Sequence, residues 1–154
     1  MKVTVAVVGK VRDAALSIVV HEYEVRASRY WPVIVTEVRS ESAKGVPVER
    51  VRERETERLL AVVSAGSTTV ACEADGERLS SKAFSSWLQR ERELAHDVAF
   101  LIGGAFGFAP AVHVRAERSL SLAPWTLPHE LARLVLAEQL YRAGTIVRGE
   151  PYHK

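Results

Sequence analysis

The stretch Leu122–Ala143, LAPWTLPHELARLVLAEQLYRA, puts two prolines, a tryptophan and a histidine into its first eight residues and then runs on as one long apolar helix. Thr126 is placed to cap that helix and Pro128 suits its first turn, so TLPHE holds a helix start in a fixed position. At 100° per residue, Leu127, Leu131, Leu134, Val135 and Tyr141 share one sector, while Ala132, Leu136, Leu140 and Ala143 fill much of the opposite side. Two apolar sides call for two packing partners: a sheet for one and a second copy of the chain for the other. Glu138 and Arg142 stand four residues apart in the order that favours pairing. They make either a half-buried structural ion pair or the border of a polar site or a two-fold interface.

Just upstream, FLIGGAFGF (Phe100–Phe108) drives a buried strand straight into Gly103, Gly104 and Gly107. The backbone there turns sharply or lets something approach it closely. The spacing is not GxGxxG, and no acidic residue closes a second strand about 20 residues later, so a Rossmann dinucleotide site is excluded.

The rest of the chain alternates short β-branched runs with segments of helical period, the pattern of an α/β domain with a largely parallel sheet. The expected strands are Val3–Val8, Val33–Val38, Thr68–Glu73, Val98–Ile102 and Ser119–Leu122. The expected helices before the last one are Asp13–Arg26, Val48–Ser64 and Ser81–Leu94. The polar segment Val38–Val48, with Gly45 and Pro47, reads as a surface loop. No repeat or second domain is visible, and 154 residues suffice to bury roughly two-thirds of the unfolded surface in one domain.

Charge is nearly balanced, 21 Lys plus Arg against 19 Asp plus Glu, so composition alone does not announce a nucleic-acid binder. The run Glu49–Arg58 mixes signs at helical spacing and fits a solvated face better than an RNA-binding stripe. GKVRD (Gly9–Asp13) lacks the spaced glycines and Lys-Ser/Thr pair of a phosphate loop and reads as a plain strand-to-helix turn. The histidines at 21, 96, 113, 129 and 153 are scattered, with no metal-ligand spacing, and there is no GxSxG elbow. Cys72 is the single cysteine and cannot form an internal disulfide; it reads as a small buried hydrophobe. With no charged-then-apolar leader and no bilayer-length apolar run, the chain reads as unprocessed, cytoplasmic and not membrane-bound.

LIGG, SLSLAPWTLPHELARLVLAEQLYRA and the terminal RGEPYHK, with AVVGKVRD and EYEVRASRY nearer the start, strongly resemble the ribosomal RNA large subunit methyltransferase H family of the SPOUT class. The resemblance covers the whole chain and implies a SPOUT-type parallel-sheet domain with a C-terminal trefoil knot, an exception to the rule that chains do not thread loops. It further implies a homodimer, S-adenosylmethionine as cofactor, and N3-methylation of a pseudouridine in helix 69 of 23S rRNA on the assembled ribosome. Carried over residue by residue, the cofactor pocket uses Cys72, Gly103, Gly104, Leu122, Ala123, Pro124, Trp125, Thr126 and Leu127. Cys72 stands where relatives carry an aliphatic residue, and Ala105-Phe106 replaces a polar or proline-containing pair.

The N3 proton must leave during methyl transfer, and His129 and His153 are the residues of suitable type for a base. The tail, with Arg148, Tyr152, His153 and Lys154 beside Arg142, suits phosphate contact and base stacking. Two rival readings remain open: a knotted RNA-binding module without turnover, and a SPOUT methyltransferase directed at tRNA.

Overall fold

The computed structural model describes residues 1–154. Two central strands, β1 (Val3–Val8) and β4 (Val98–Ile102), are buried at every position. This is what a continuous apolar run gives when both faces of a parallel sheet are covered. β2 (Val33–Val38) is only partly covered and lies at one edge. With β3 (Thr68–Glu77) and β5 (Arg118–Leu120) the strands form one sheet in the order β2-β1-β4-β3-β5, parallel throughout.

The side chains of each strand divide between two cores. Val3, Val5, Val7, Val70, Phe100 and Ile102 meet α1 (Ala14–Ala27), α3 (Ser81–Glu93) and α5 (His129–Val147), along with Trp31, Trp87 and Leu136. Ala6, Val8, Ala71 and Leu101 face the other way, against Leu59 of α2 (Val48–Ala61) and Val112 of the short α4 (Ala111–Arg115). The five expected strands and four expected helices are all present; β1, β2 and β4 have the expected bounds, and the other elements have shifted ends. α4 occupies a stretch for which the sequence pattern indicates no element.

Two of those shifts have a bearing on function. β3 runs past Glu73 to Glu77, because both Cys72 and Glu77 pair with Leu120 and the four residues between them bulge out of the ladder. The capping expected of Thr126 is not formed. α5 begins at His129, and Pro128 holds the N-cap position with φ −53° and ψ 143° rather than a helical turn. Its carbonyl still accepts the first helical bond, from Ala132 N at 2.9 Å. A proline suits this place because the cap position needs an acceptor and no donor.

α5 packs between α1 and α3. Trp31 donates through its indole N–H to the Leu140 carbonyl at 2.8 Å, and the Ser85 hydroxyl donates to the Ala143 carbonyl at 3.0 Å. Ala132, Leu136, Leu140 and Ala143 are buried, as the second sector predicts, whereas Leu131 stays 41 % exposed and Leu134 and Val135 are half-buried. The first sector is therefore incompletely covered within one chain.

Arg133, which no sequence pattern singles out, is the polar anchor of this packing. It donates to Glu24 of α1 at 2.6 Å and to Glu37 of β2 at 2.6 Å. Burial alone would lower its pKa, but these two carboxylates outweigh that and hold it above the ordinary value. Arg133→Ala leaves two partly buried carboxylates without a partner. It is expected to cost about 3 kcal/mol, read as a melting-temperature drop of roughly 6–12 °C. A loss below about 2 °C would mean that the pair is not a structural anchor.

Candidate active site

Ile102, Cys72 and Leu120 stand side by side where β4 and β5 end and β3 enters its bulge. Beyond them the chain leaves the sheet three times, and the carboxyl edge of parallel strands is where such sheets form crevices. A cavity of about 510 Å³ opens there. Of the residues expected at a pocket, Cys72, Gly103, Gly104, Leu122, Ala123, Trp125, Thr126 and Leu127 line it; Pro124 does not. Glu73 and Ala74 of the β3 bulge, Phe108, Pro128 and Ala132 also line it, although none of them is expected there from the sequence. The bulge carries no signal beyond Gly76, and Phe108 is visible only as the last residue of the glycine-rich stretch.

The glycine segment is held from behind by α2. Arg52 donates from Nε to the Phe106 carbonyl at 2.6 Å, and the Thr56 hydroxyl accepts from Ala109 N at 2.9 Å. The turn closes with Gly107 N donating to the Gly104 carbonyl at 3.1 Å, with Gly107 at φ +75°, a left-handed conformation that favours glycine. A Cβ on Gly103 would stand 3.2 Å from the Phe108 ring, so a side chain there cannot enter without moving the cavity wall. Glu55, 4 % exposed, accepts from Glu41 N at 2.8 Å and thereby ties the β2–α2 loop to the same helix.

The lining is mostly apolar, with one carboxylate, that of Glu73. Glu73 accepts from the Ser119 hydroxyl and lies 3.7 Å from His113 Nδ1. Burial, reinforced by the Glu73 charge, pushes the Cys72 thiol up to about 12. The thiolate, which is the reactive form, is then scarce at neutral pH. Alkylation of Cys72 by iodoacetamide at pH 8 is expected to run roughly a thousandfold slower than that of a free thiol, and to reach the ordinary rate on unfolding. Modification of the folded chain at the free-thiol rate would contradict this environment.

The two candidate bases lie at opposite ends of α5. His129 lines the cavity, with its Nε2 3.9 Å from Glu130 Oε1. His153 lies 3.5 Å from Arg142 Nη1, beside a cluster in which Glu138 accepts from Arg142 at 2.6 Å and from the Tyr152 hydroxyl at 3.0 Å. The Arg142 guanidinium also covers the Tyr152 ring, 4.7 Å from its centre. Burial and the hydrogen bonds to Tyr23 and Glu138 raise the Tyr152 pKa, and the Glu138 bond raises that of Arg142. Arg148 donates to the Arg29 carbonyl at 3.2 Å and covers Tyr30. The residues expected to meet RNA are thus gathered at one place, with Lys154 exposed at its end. At 1.5 Å per residue, the 13 steps from His129 to Arg142 put this cluster about 20 Å from the cavity of its own chain.

No group of three or more His, Cys, Asp or Glu side chains is placed to hold a metal ion, and no helix is long and apolar enough to cross a membrane. A solved structure described as a probable rRNA-methyltransferase from Porphyromonas gingivalis shares the fold, with a TM-score of 0.54 at 15 % identity over 96 % of this chain and 69 % of that one. A family model described as "Predicted SPOUT methyltransferase" matches residues 1–153. A protein of Gemmatimonas aurantiaca named ribosomal RNA large subunit methyltransferase H is 55 % identical over 154 residues, the whole of both chains. Proteins of the same name from Anaeromyxobacter sp. (strain K) and Geobacter sp. (strain M21) are 44 % and 38 % identical, over all and 99 % of both chains. A sheet ending in a glycine-bounded cavity and a match that spans essentially the whole sequence agree: the chain belongs to the SPOUT methyltransferase family, among the ribosomal RNA large subunit methyltransferase H proteins.

Proposed function

We propose that this chain methylates N3 of the pseudouridine at position 1915 of 23S rRNA, with S-adenosylmethionine as methyl donor, on the assembled ribosome in the cytoplasm. The observation that carries the reading is the cavity itself, in which nearly every residue that the family resemblance marks for the cofactor converges at one end of the sheet. Its volume falls in the range of small-molecule sites. Bare backbone at Gly103 and Gly104 allows close approach, Leu122, Leu127 and Phe108 supply apolar walls, and the Glu73 carboxylate complements a cationic ligand. These features fit S-adenosylmethionine, which supplies a methyl group activated by attachment to a sulfonium. We also carry over from the family the C-terminal knot, with α5 as its last element.

Transfer to an imide nitrogen is a single in-line displacement, so holding the partners in place and excluding water can supply much of the rate. The segment Leu122–Pro128, braced by its two prolines, fixes one wall. Trp125 stands at the mouth, 75 % exposed. The proton released from N3 needs an acceptor. His129 offers one from within the cavity, and His153 offers one from the tail.

A tail about 20 Å from its own cavity serves a cavity only if a second chain brings it there. We therefore propose a homodimer that covers the exposed sector of α5, with Arg142, Arg148, Tyr152, His153 and Lys154 of each tail facing RNA at the partner's cavity. Incubation with isotopically labelled cofactor and, separately, ribosomes that carry the pseudouridine without its methyl group, isolated subunits and tRNA tests the function. Label in ribosomal large-subunit RNA is expected. Label confined to tRNA, or none anywhere, would overturn the reading in favour of a tRNA enzyme or a binding module.

A further inference from the structure

Two loops that read in the sequence as plain connections reach the carboxyl edge of the sheet next to the cavity. The β1–α1 loop carries Lys10 and Arg12, and the β2–α2 loop carries Arg39 and Lys44. All four side chains belong to exposed residues, and none forms a salt bridge. Nearby charges are already engaged. Asp13 caps α1, accepting from Leu16 N at 2.7 Å, and Glu41 is held by Arg54 and Arg58. On the opposite flank of the cavity the Glu73 and Glu77 carboxylates are engaged as well: Glu77 pairs with Arg118, and Glu73 accepts from Ser119 and lies 3.7 Å from His113 Nδ1. The unpaired charge of this edge is therefore mostly cationic and lies over β2 and β1.

Both loops are also anchored to the cavity. Gly9 lies so close to His129 that a Cβ there would stand 3.3 Å from its Nε2, and Arg12 N donates to Glu130 Oε1 at 3.2 Å. The β2–α2 loop is pinned at Glu41 N by Glu55 and at the Arg39 carbonyl by Arg58, 2.8 Å each, and α2 grips the glycine segment through Arg52. The backbone of each loop is fixed relative to the cavity, while its cationic side chains remain free to bind.

We propose that Lys10, Arg12, Arg39 and Lys44 form a phosphate-binding rim on the subunit that holds the cofactor cavity, gripping the RNA strand that flanks the target nucleotide. This rests on the function proposed above and adds a second RNA contact, distinct from the tail. Unpaired cations on a pinned backbone suit phosphate, whose attraction carries no sequence information but fixes register. A clamp with one jaw on each subunit then spans the reacting base.

The test uses K10A/R12A and R39A/K44A in the full-length protein, with unmethylated ribosomes as the probe. Each pair is expected to reduce the slope of log binding constant against log salt by roughly 1.4–1.8, the effect of two lost phosphate contacts. Each is also expected to raise KM for ribosomes at least about tenfold, with kcat at saturation and cofactor affinity unchanged. Arginine or lysine exchanged for one another at the same positions should restore the slope, which a merely structural role would not predict. Slopes and KM equal to wild type in both variants would overturn the rim. Failure of the wild-type protein to label ribosomes would overturn the proposed function instead.

Discussion

A chain ending at Pro151 is expected to bind S-adenosylmethionine and to dimerise as the full protein does, yet to methylate ribosomes at least about a hundredfold more slowly. The removed residues, Tyr152 to Lys154, touch Glu138 and Arg142 near the C-terminal end of α5 and make no part of the cavity wall. Their loss uncovers a surface without opening a core. In the proposed dimer they act across the subunit boundary, where a stacked aromatic ring, a cationic side chain and His153 meet the RNA. Proton transfer and positioning are each worth orders of magnitude in rate, so the defect should fall on turnover with ribosomes. A truncated protein with full ribosome activity would reduce the tail to a packed end and leave His129 as the base to test.

Gly103→Val is expected to weaken cofactor binding by filling the space where the ligand sits. A Cβ at this position already stands 3.2 Å from the Phe108 ring and 3.4 Å from the Gly107 backbone, and two further methyl groups add bulk beside the cavity that Gly103 lines. Overpacking of this kind costs about 1–3 kcal/mol. If ligand displacement absorbs about 2–3 kcal/mol of it, affinity falls roughly 30- to 150-fold. Titration calorimetry on the folded variant checks the value, with the melting temperature recorded in parallel. Unchanged affinity in a folded Gly103→Val protein would move the cofactor elsewhere.

How far the sequence can be read depends on the range of the interaction behind each feature. β1 and β4 are legible because a strand covered on both faces favours apolar residues throughout, which leaves a nearly unbroken run. The glycine segment and the braced wall Leu122–Leu127 are legible because glycine frees the backbone and proline fixes it wherever they stand. The N-cap of α5 is misleading because Thr126 has the right side chain, but two residues further on Pro128 sets the start of the helix by its own backbone geometry. The β3 bulge is invisible because it depends on Leu120 pairing twice, a contact over more than 40 residues of sequence. Arg133 is silent for a similar reason: its partners, Glu24 and Glu37, lie on two other elements, and neither is at helical spacing from it.

That one subunit's cavity works with the other subunit's tail is tested most directly by a mixed dimer. One chain carries Gly103→Val with an intact tail, and the other carries an intact cavity with Tyr152–Lys154 deleted. With cofactor near the wild-type Kd, each homodimer alone is expected to retain less than about a tenth of the wild-type rate. In the purified mixed dimer, one of the two symmetry-related sites combines the intact cavity of one chain with the intact tail of its partner. Ribosome methylation at roughly half the wild-type rate per dimer is the predicted result. A mixed dimer as inactive as its parents would contradict shared sites, showing that cavity and tail must belong to the same chain.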